Sequence, residues 1–464
     1  MKPTTSAVEI ARDVKAGTLT ARLVVAAALG RIDANNGRLG AFTQILSDRA
    51  RNQADKVDQQ IKDGAALPLA GVPFAVKNLY DLKGVVTRAG SKINRDNPPA
   101  LEDATLVTRL EAAGAICIGS LNMDEYAYGF TGENAHDGPA HNPHDIAHMT
   151  GGSSAGPAAA VASGMVPFAL GSDTNGSIRI PASFTGLFGL KPTYGRLSRH
   201  GTFPFAASFD CVGPLARSVE DLALGYDAMQ GFDDADPAMT RRPMELLAGK
   251  LDRGGAGYRV ALAEGYFAGE PEAREAVAVV VKALEVHRKV AIPDAAAARA
   301  AAFLITMAEG GALHLGRLRE RAADFDPEVR DRLIAGAMLP AAWIDHAQKF
   351  RRTFRDRMLA LFEDVDAIIA PATPMRAPRI GQKTAQIGGI EMPLRPNIGI
   401  YTQPFSFVGL PVVAVPLWIG ANRLPIGVQI VAPPWREDIA MRIARQLEKI
   451  GAAESHVAPG FADA

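Results

Sequence analysis

The sequence is poor in the features that mark several large classes of protein. It has only two cysteines, Cys117 and Cys211, in 464 residues, which excludes a disulfide framework and favours a cytoplasmic location. Basic and acidic residues number 50 each, so no net positive charge favours nucleic acid as a partner. No uninterrupted apolar run is long enough to span a bilayer, and Glu9 and Asp13 interrupt the N-terminal segment. We therefore expect neither a membrane-spanning helix nor a signal peptide.

Short apolar segments alternate with helical patterns along the chain, as is typical of an α/β fold. Segments 71–78 and 115–119 have the composition of buried strands, whereas the apolar spacing over 328–361 predicts one long helix. The span 232–256 has the composition of a linker, because it combines acidic residues, prolines and adjacent glycines. Strands are predicted on both sides of it and no internal repeat is present. We therefore expect one domain over 1–464.

A histidine-rich segment is the first candidate for chemistry. Its four histidines are His136, His141, His144 and His148. Their spacing matches neither a helical HExxH motif nor a His pair combined with Cys pairs, and Pro139 and Pro143 indicate a loop. We expect these side chains to be polar loop residues and the protein to use neither a metal nor a cofactor.

Residues 152–156, GSSAG, match the G-x-S-x-G pattern of the nucleophile elbow in α/β-hydrolases. That elbow requires an apolar strand immediately before it, but the preceding residues are HNPHDIAHMT. The downstream histidines also lie in no distinctive motif. We therefore interpret the match as coincidental.

Two serines and a lysine offer a different nucleophilic system. Ser153 and Ser177 lie 24 residues apart, and Lys77 ends an apolar segment upstream. A hydroxyl is a poor nucleophile until a base takes its proton, and a lysine can be that base only when its neutral form is favoured. Burial beside Phe74 and Val76 would favour it. The alternative is a surface lysine at the end of a strand.

The turn at 172–177 has small residues that allow the backbone to approach a ligand closely. Successive N–H groups in such a turn can stabilise an oxyanion. A phosphate-binding loop is a competing interpretation, although neither the P-loop nor the dinucleotide-binding glycine pattern is present. A purely structural turn would also explain Gly176.

Several motifs, taken together, are shared with a known family. They are VKN (76–78), GGSS (151–154), GSDTNGSIR (171–179) and GLKPT (189–193). In sequence and spacing they resemble the amidase signature family. The resemblance implies an α/β fold with a mixed central sheet of about eleven strands, covered by helices on both faces. The signature core would occupy about 70–200.

The resemblance also implies the roles of the three central residues. Ser177 would be the nucleophile that forms an acyl-enzyme. Ser153, held by a cis peptide bond, would bridge it to Lys77, the base. No metal or cofactor is implied.

The resemblance also implies supporting roles for other residues of the same region. The backbone N–H groups implied to form the oxyanion hole are those of Thr174, Asn175, Gly176 and Ser177. The side chains implied to brace this loop or to contact substrate are Ser172, Asp173 and Arg179.

Within the family, the chain departs from the commonest pattern in ways that indicate a subgroup. Asn175 stands where glycine is frequent, and Ser172 where threonine is frequent. GSDTNGSIR, AGSKINRDNPPA (89–100) and NMDEYAYGFTGEN (122–134) are similar to hydrolases of 1-carboxybiuret from s-triazine breakdown. Those enzymes release ammonia from a small carboxylated urea and assemble with a very small helical protein. The resemblance thus implies a small amide substrate and a small partner or an oligomer, without direct nucleic-acid or membrane contact.

Other functions remain compatible with the same motifs. One is the glutaminase subunit of a tRNA amidotransferase, and another is an amidase of broad specificity for small amides. A non-enzymatic scaffold is disfavoured, because it would not need Lys77, Ser153 and Ser177 together.

A carboxylated substrate calls for a cation in the pocket, and a guanidinium suits a carboxylate best. Arg332, in the run VRDRL, lies about where amidotransferase glutaminases place a substrate-binding arginine. Arg199, just after the signature region, is the second candidate.

Overall fold

The computed structural model describes residues 2–255, 257–421 and 424–462. Met1, Ala256, Asn422, Arg423, Asp463 and Ala464 lie outside the described residues, so the expected domain 1–464 and the linker-like span 232–256 each extend slightly beyond them. Within the described ranges the strands are β1 (Phe42–Ile45), β2 (Pro73–Lys77), β3 (Ile116–Leu121), β4 (His141–Asn142), β5 (Asp145–Met149), β6 (Phe168–Asp173), β7 (Phe188–Lys191), β8 (Cys211–Ala216), β9 (Val260–Glu264), β10 (Arg288–Ala291), β11 (Ala367–Pro371), β12 (Thr384–Ile387), β13 (Ile390–Pro393), β14 (Val412–Leu417) and β15 (Ile426–Val431).

Helices separate most of these strands. In the same described ranges, the α-helices are α1 (Ala7–Lys15), α2 (Ala21–Leu39), α3 (Ser47–Lys62), α4 (Thr105–Ala112), α5 (Ala155–Ala162), α6 (Arg179–Thr185), α7 (Val219–Met229), α8 (Pro271–Ala283), α9 (Ala295–Arg321), α10 (Pro327–Ala337), α11 (Ala341–Asp364), α12 (Leu394–Asn397), α13 (Gln403–Phe407) and α14 (Glu437–Lys449).

Eleven strands form one mixed sheet in the order β1-β3-β2-β6-β8-β7-β14-β15-β11-β9-β10. β2 runs parallel to β3 and β6, whereas the strands from β6 to β11 are joined by antiparallel pairs. The central strands are buried along their whole length, as expected for strands covered on both faces. The predicted mixed α/β sheet of about eleven strands is confirmed.

The linker-like span is tied to the signature region. Asp236 forms an ion pair with Arg199 (Oδ1 to Nη2, 2.9 Å), and Asp233 accepts a hydrogen bond from Ser198 Oγ at 2.5 Å. Strands that precede this span, such as β7, pair directly with β14, which follows it. Both halves of the chain therefore contribute to one sheet.

The prediction of one helix over 328–361 is wrong. Two helices, α10 and α11, occupy this segment, and the chain leaves the helical conformation between them at Pro340 (φ −59°, ψ 132°). Proline disfavours helical geometry in the residue before it and lacks the N–H needed to continue a helix. The apolar periodicity continued across this break and concealed it.

The long helix α9 supplies one wall of the candidate site. By length and composition alone, the stretch Ala295–Asp324 could cross a bilayer. In the fold, however, α9 packs against α10, α11 and α13 and buries Ile305 and Thr306. This packing buries part of the apolar surface of the helix.

Candidate active site

Lys77, at the end of β2, lies at the centre of a buried polar cluster. Its side chain is fully buried, and its Nζ lies 2.6 Å from Ser153 Oγ and 2.8 Å from Ser172 Oγ. β2 pairs with β6, so the carboxyl ends of these parallel strands bring Lys77 and Ser172 together. Lys77 is therefore a buried residue and not a surface lysine at the end of a strand.

Burial lowers the pKa of Lys77 to about 7. The loss of hydration disfavours the ammonium form, while the carboxylates of Asp124, Asp210 and Asp173 partly oppose this shift. The amine is thus neutral in a large fraction of molecules near neutral pH. A neutral lysine in contact with a serine hydroxyl can accept its proton.

Ser153 lies in a closely packed loop that leads into α5. The Gly152–Ser153 peptide bond is cis, and the Ser153 side chain is fully buried. A Cβ atom at Gly152 would lie 2.2 Å from Asp124 Oδ1, which explains why glycine is required there. The loop holds the Ser153 hydroxyl against Lys77.

Ser177 lies in the turn between β6 and α6, which is organised around the carboxylate of Asp173. Asp173 accepts hydrogen bonds from the backbone N–H of Gly176 (2.7 Å) and Ile178 (3.1 Å), and it pairs with Arg179 (Nη2 to Oδ1, 2.9 Å). Because its N–H is committed to Asp173, Gly176 does not offer a free donor to an oxyanion, contrary to the expectation from the sequence. Asp173 and Arg179 form the frame of the turn.

Arg179 is fully buried and extends this frame to distant parts of the chain. Its guanidinium donates to the Thr402 carbonyl (3.0 Å), to Gln429 Oε1 (2.7 Å) and to Ser406 Oγ (2.5 Å). Together with Asp173, these acceptors use its donor groups. Arg179 therefore braces the loop and has no capacity left for substrate.

The loops that carry the two serines lie side by side. The N–H of Ser154 donates to the carbonyl of Ser177 at 3.3 Å, and Ser154 Oγ contacts the backbone of Ser172. Within the described ranges, the backbone N–H groups of Thr174, Asn175 and Ser177 donate to no protein acceptor. The turn thus offers three donors next to the Ser177 hydroxyl.

A narrow cavity adjoins Ser177. Its walls are partly aromatic and partly polar, and its lining includes Tyr128, Phe130, Thr174, Asn175, Ser177, Phe205, Phe303, Thr306, Arg332 and Gln403. Arg332, on α10, stacks over the Tyr128 ring with its Cζ 3.7 Å from the ring centroid, and it donates to the Tyr128 carbonyl at 3.2 Å. In the part of the chain that the structure describes, no carboxylate forms an ion pair with Arg332. The structure thus places a cation without an ion-pair partner, among the described residues, in the wall of this cavity.

The other candidate cation, Arg199, is engaged elsewhere. It donates through Nε and Nη2 to both oxygens of Asp236, and through Nη1 to the Ala207 carbonyl at 2.6 Å. Asp236 neutralises its charge. The structure therefore favours Arg332 over Arg199 as a contact for an anionic group.

Two contributors to the site were not identified from the sequence. Asp124 is fully buried, accepts the Gly132 N–H at 2.9 Å and lies 3.5 Å from the Arg395 guanidinium. Burial raises the pKa of Asp124, while Arg395 and Lys77 oppose the increase. Thr306, on α9, contacts Asn175 of the turn. The only sequence signal at Asp124 is that its segment, 122–134, resembles related hydrolases. No sequence pattern indicates a role for Thr306.

The histidine-rich segment forms β4, β5 and their flanking loops. His136 Nε2 lies 3.1 Å from Glu125 Oε1, and His148 Nδ1 lies 3.0 Å from Asp145 Oδ2. Within the described residues, no group of three or more His, Cys, Asp or Glu side chains is arranged to hold a metal ion.

Comparison with known proteins places this arrangement in a family. Residues 23–440 match the amidase family. The chain is 52% identical over 450 residues to AtzE, a 1-carboxybiuret hydrolase subunit of Pseudomonas sp. (strain ADP), covering 96% of this chain and 98% of that protein. It is 38% identical over 475 residues to a glutamyl-tRNA(Gln) amidotransferase subunit of Anaeromyxobacter dehalogenans (strain 2CP-C), covering 95% of each.

Solved structures agree with this relationship. One is an inhibitor-bound chain of a vestigial protein complex that reveals the evolutionary origins of an s-triazine catabolic enzyme. This chain superimposes on it with a TM-score of 0.96 at 51% identity. The match covers 97% of this chain and 100% of that one. This chain therefore belongs to the amidase family and is a hydrolase of carbon–nitrogen bonds in linear amides.

Proposed function

We propose that this enzyme hydrolyses the terminal amide of 1-carboxybiuret, with Ser177 as the nucleophile. The observation that carries the reaction type is the buried Lys77, whose pKa is lowered to about 7 and whose Nζ lies 2.6 Å from Ser153 Oγ. The choice of substrate is supported by Arg332, which lines the same cavity as Ser177 and forms no ion pair within the described residues. It is also supported by the 52% identity to a subunit of a 1-carboxybiuret hydrolase.

The first half of the reaction transfers the acyl group to the enzyme. Ser177 Oγ attacks the carbonyl carbon of the terminal amide while its proton passes to Ser153, whose own proton passes to Lys77 Nζ. The resulting ammonium returns a proton through Ser153 to the amide nitrogen. The C–N bond then breaks, ammonia leaves, and Ser177 carries the acyl group as an ester.

The second half uses the same groups with water as the nucleophile. Water attacks the ester carbonyl, and its proton moves by way of Ser153 to Lys77. The ester bond breaks, Ser177 regains a proton, and the product leaves with a new carboxylate in place of the amide.

Electrostatic stabilisation would come from the turn that carries the nucleophile. The unengaged N–H groups of Thr174, Asn175 and Ser177 support an oxyanion hole, whereas the N–H of Gly176 is held by Asp173. Removing one such donor typically costs about 10²- to 10³-fold in rate. The Asp173–Arg179 pair would keep these donors oriented before substrate arrives.

Arg332 would bind the carboxylate of the substrate. Its guanidinium lies in the cavity wall and already rests on the Tyr128 ring, which limits its rotation. A bidentate guanidinium–carboxylate pair fixes orientation as well as charge. The substrate would therefore lie with its carboxylate towards α10 and its amide towards Ser177.

The domain organisation, the location and the assembly of the enzyme are part of the same proposal. Shared strands on both sides of 232–256 support one domain. The two cysteines are both free and buried, which supports a cytoplasmic location. The related structure comes from a protein complex, which supports assembly with a very small helical partner protein into a homo- or hetero-oligomer.

Ammonia release by the purified protein tests the proposal. The substrates are freshly prepared 1-carboxybiuret, biuret, allophanate, glutamine and an aryl amide, each with and without a co-expressed small partner, and Ser177→Ala is the inactive control. We expect turnover concentrated on 1-carboxybiuret. Preferential turnover of glutamine would instead support the amidotransferase alternative, and equal turnover of all the amides would support a broad amidase.

A further inference from the structure

The side chain of Asn175 is held in one orientation at the edge of the cavity. Its Nδ2 donates to Thr306 Oγ1 at 3.0 Å, and its backbone carbonyl accepts a hydrogen bond from Thr402 Oγ1 at 2.6 Å. Asn175 and Thr306 both line the cavity that contains Ser177, and both are buried. The residue is therefore fixed at its backbone and at its side chain.

The hydrogen bonding of Thr306 determines which way the carboxamide of Asn175 faces. The single hydroxyl proton of Thr306 is donated to the Ala302 carbonyl at 2.6 Å, within α9. Thr306 Oγ1 can then only accept from Asn175, so the NH₂ group of Asn175 must face Thr306. Its Oδ1 faces away from α9, and within the described residues this buried atom has no hydrogen-bond partner.

A buried carbonyl oxygen without a donor is costly unless a ligand supplies one. The rings of Phe130, Phe205 and Phe303 in the cavity wall supply no hydrogen-bond donor. The donor-bearing side chains of the same lining, Arg332 and Gln403 among them, do not reach Asn175 Oδ1 within the described residues. Asn175 is also two residues from Ser177 in the sequence, and both residues line this cavity.

We propose that Asn175 Oδ1 accepts a hydrogen bond from the substrate N–H adjacent to the scissile carbonyl, and that Thr306 positions it. The pair would select amides whose acyl group is linked through nitrogen, R–NH–CO–NH₂, over those linked through carbon, R–CH₂–CO–NH₂. This inference rests on the proposed function, in which Ser177 attacks that carbonyl. It also separates ureido substrates from glutamine, which has a CH₂ group at this position.

Biuret and malonamide provide a matched pair for the test, because they differ only in the exchange of the central NH for CH₂. The kcat/KM for each is measured with the wild-type enzyme, with Asn175→Ala and with Asn97→Ala, an exposed asparagine, as the control. We expect the preference for biuret to fall by roughly tenfold to a hundredfold in Asn175→Ala, as for the loss of an acceptor at a buried donor. An unchanged ratio, with both substrates slowed equally, would overturn the proposal.

Thr306 provides an independent measurement. Thr306→Val should lower the same ratio because the carboxamide loses its orienting acceptor, whereas Thr306→Ser, which keeps the hydroxyl, should preserve it. A merely structural role would reduce turnover of both compounds and leave their ratio constant. A ratio as high with valine as with serine would also contradict the proposal.

Binding to the Ser177→Ala protein makes the test independent of turnover. Dissociation constants for biuret and malonamide are compared with and without Asn175→Ala, and undetectable binding of both compounds counts against the proposal. The proposed function fails separately, if the wild-type enzyme releases no ammonia from 1-carboxybiuret while the biuret-to-malonamide preference still depends on Asn175.

Discussion

The frame of the nucleophile turn and the cavity beside it differ in how their polar atoms are paired. In the frame, Arg179 and Asp173 are fully buried, and their groups are matched by each other, by backbone N–H groups and by residues of later strands and helices. In the cavity, Arg332 has no carboxylate partner, and Asn175 Oδ1 has no donor, within the described residues. The two regions meet at Ser177.

This difference separates two tasks. A saturated buried network resists rearrangement, because any displaced group would lose a partner in a medium of low polarity. The unpaired groups of the cavity remain available to a ligand. We therefore expect substitutions in the frame to affect folding and substitutions in the cavity to affect the choice of substrate.

The largest expected effect is on catalysis, when the base Lys77 is replaced. Lys77→Met keeps the length and the neutral state of the side chain but removes the proton acceptor, so kcat/KM should fall by roughly 10²- to 10⁴-fold. The measurement is ammonia release, with Lys349→Met, at an exposed lysine of α11, as the control. Retention of more than a tenth of the activity would exclude Lys77 as the base.

Arg179→Met should break the frame itself. It would leave Asp173 buried without its counter-charge, and the free energy of unfolding should fall by about 3–5 kcal/mol. Denaturant unfolding measures this change. Arg332→Met, in the cavity, is the contrasting variant and should change stability by far less. Equal losses in the two variants would remove the distinction between the frame and the cavity.

In the cavity, Arg332→Gln should raise KM for 1-carboxybiuret by roughly tenfold to a hundredfold, because a charged hydrogen-bonded pair is lost. KM for biuret, which lacks the carboxylate, should change little. Arg330→Gln, two residues earlier on α10 and paired with Asp331 on the surface, is the matched control. If KM for both compounds rises alike, Arg332 does not bind the carboxylate.

The last test is the pH dependence of kcat/KM, in which the activity should change gradually. The pKa of Lys77 is lowered to about 7, so the neutral base predominates above that pH and the protonated form below it. With chemistry rate-limiting, kcat/KM should be half-maximal near pH 7 and fall about tenfold for each further unit of acidification. A flat profile from pH 6 to 10 would contradict the role of Lys77.

The sequence predicted the fold because its signals are local and repeated. Apolar segments such as 71–78 became central strands, and the family motifs implied the eleven-stranded sheet. Lys77 and Ser153, 76 residues apart in sequence, are in contact. Their catalytic roles remain predictions until the variants are measured.

Features that depend on tertiary contacts could not be predicted. Asn175 and Thr306 are 131 residues apart, and no pattern around Thr306 indicates that it faces the turn. Arg199 and Arg332 are equivalent as residue types, and only their partners, Asp236 for one and the Tyr128 ring for the other, distinguish them. The sequence also does not show that Asp173 folds back onto the N–H of Gly176, so it could not separate this N–H from the three unengaged N–H groups of the turn.

The long-range partners of Arg179 also have a consequence for the order in which the enzyme is made. Gln429 lies 250 residues after Arg179, and Ser406 lies 227 residues after it. A ribosome must therefore synthesise more than half of the chain after the nucleophile before these partners exist. Throughout that time the turn that carries Ser177 has only its local contacts, between Asp173, the nearby backbone and Arg179. We therefore expect the hydrogen-bond network around the nucleophile to be completed only late in translation.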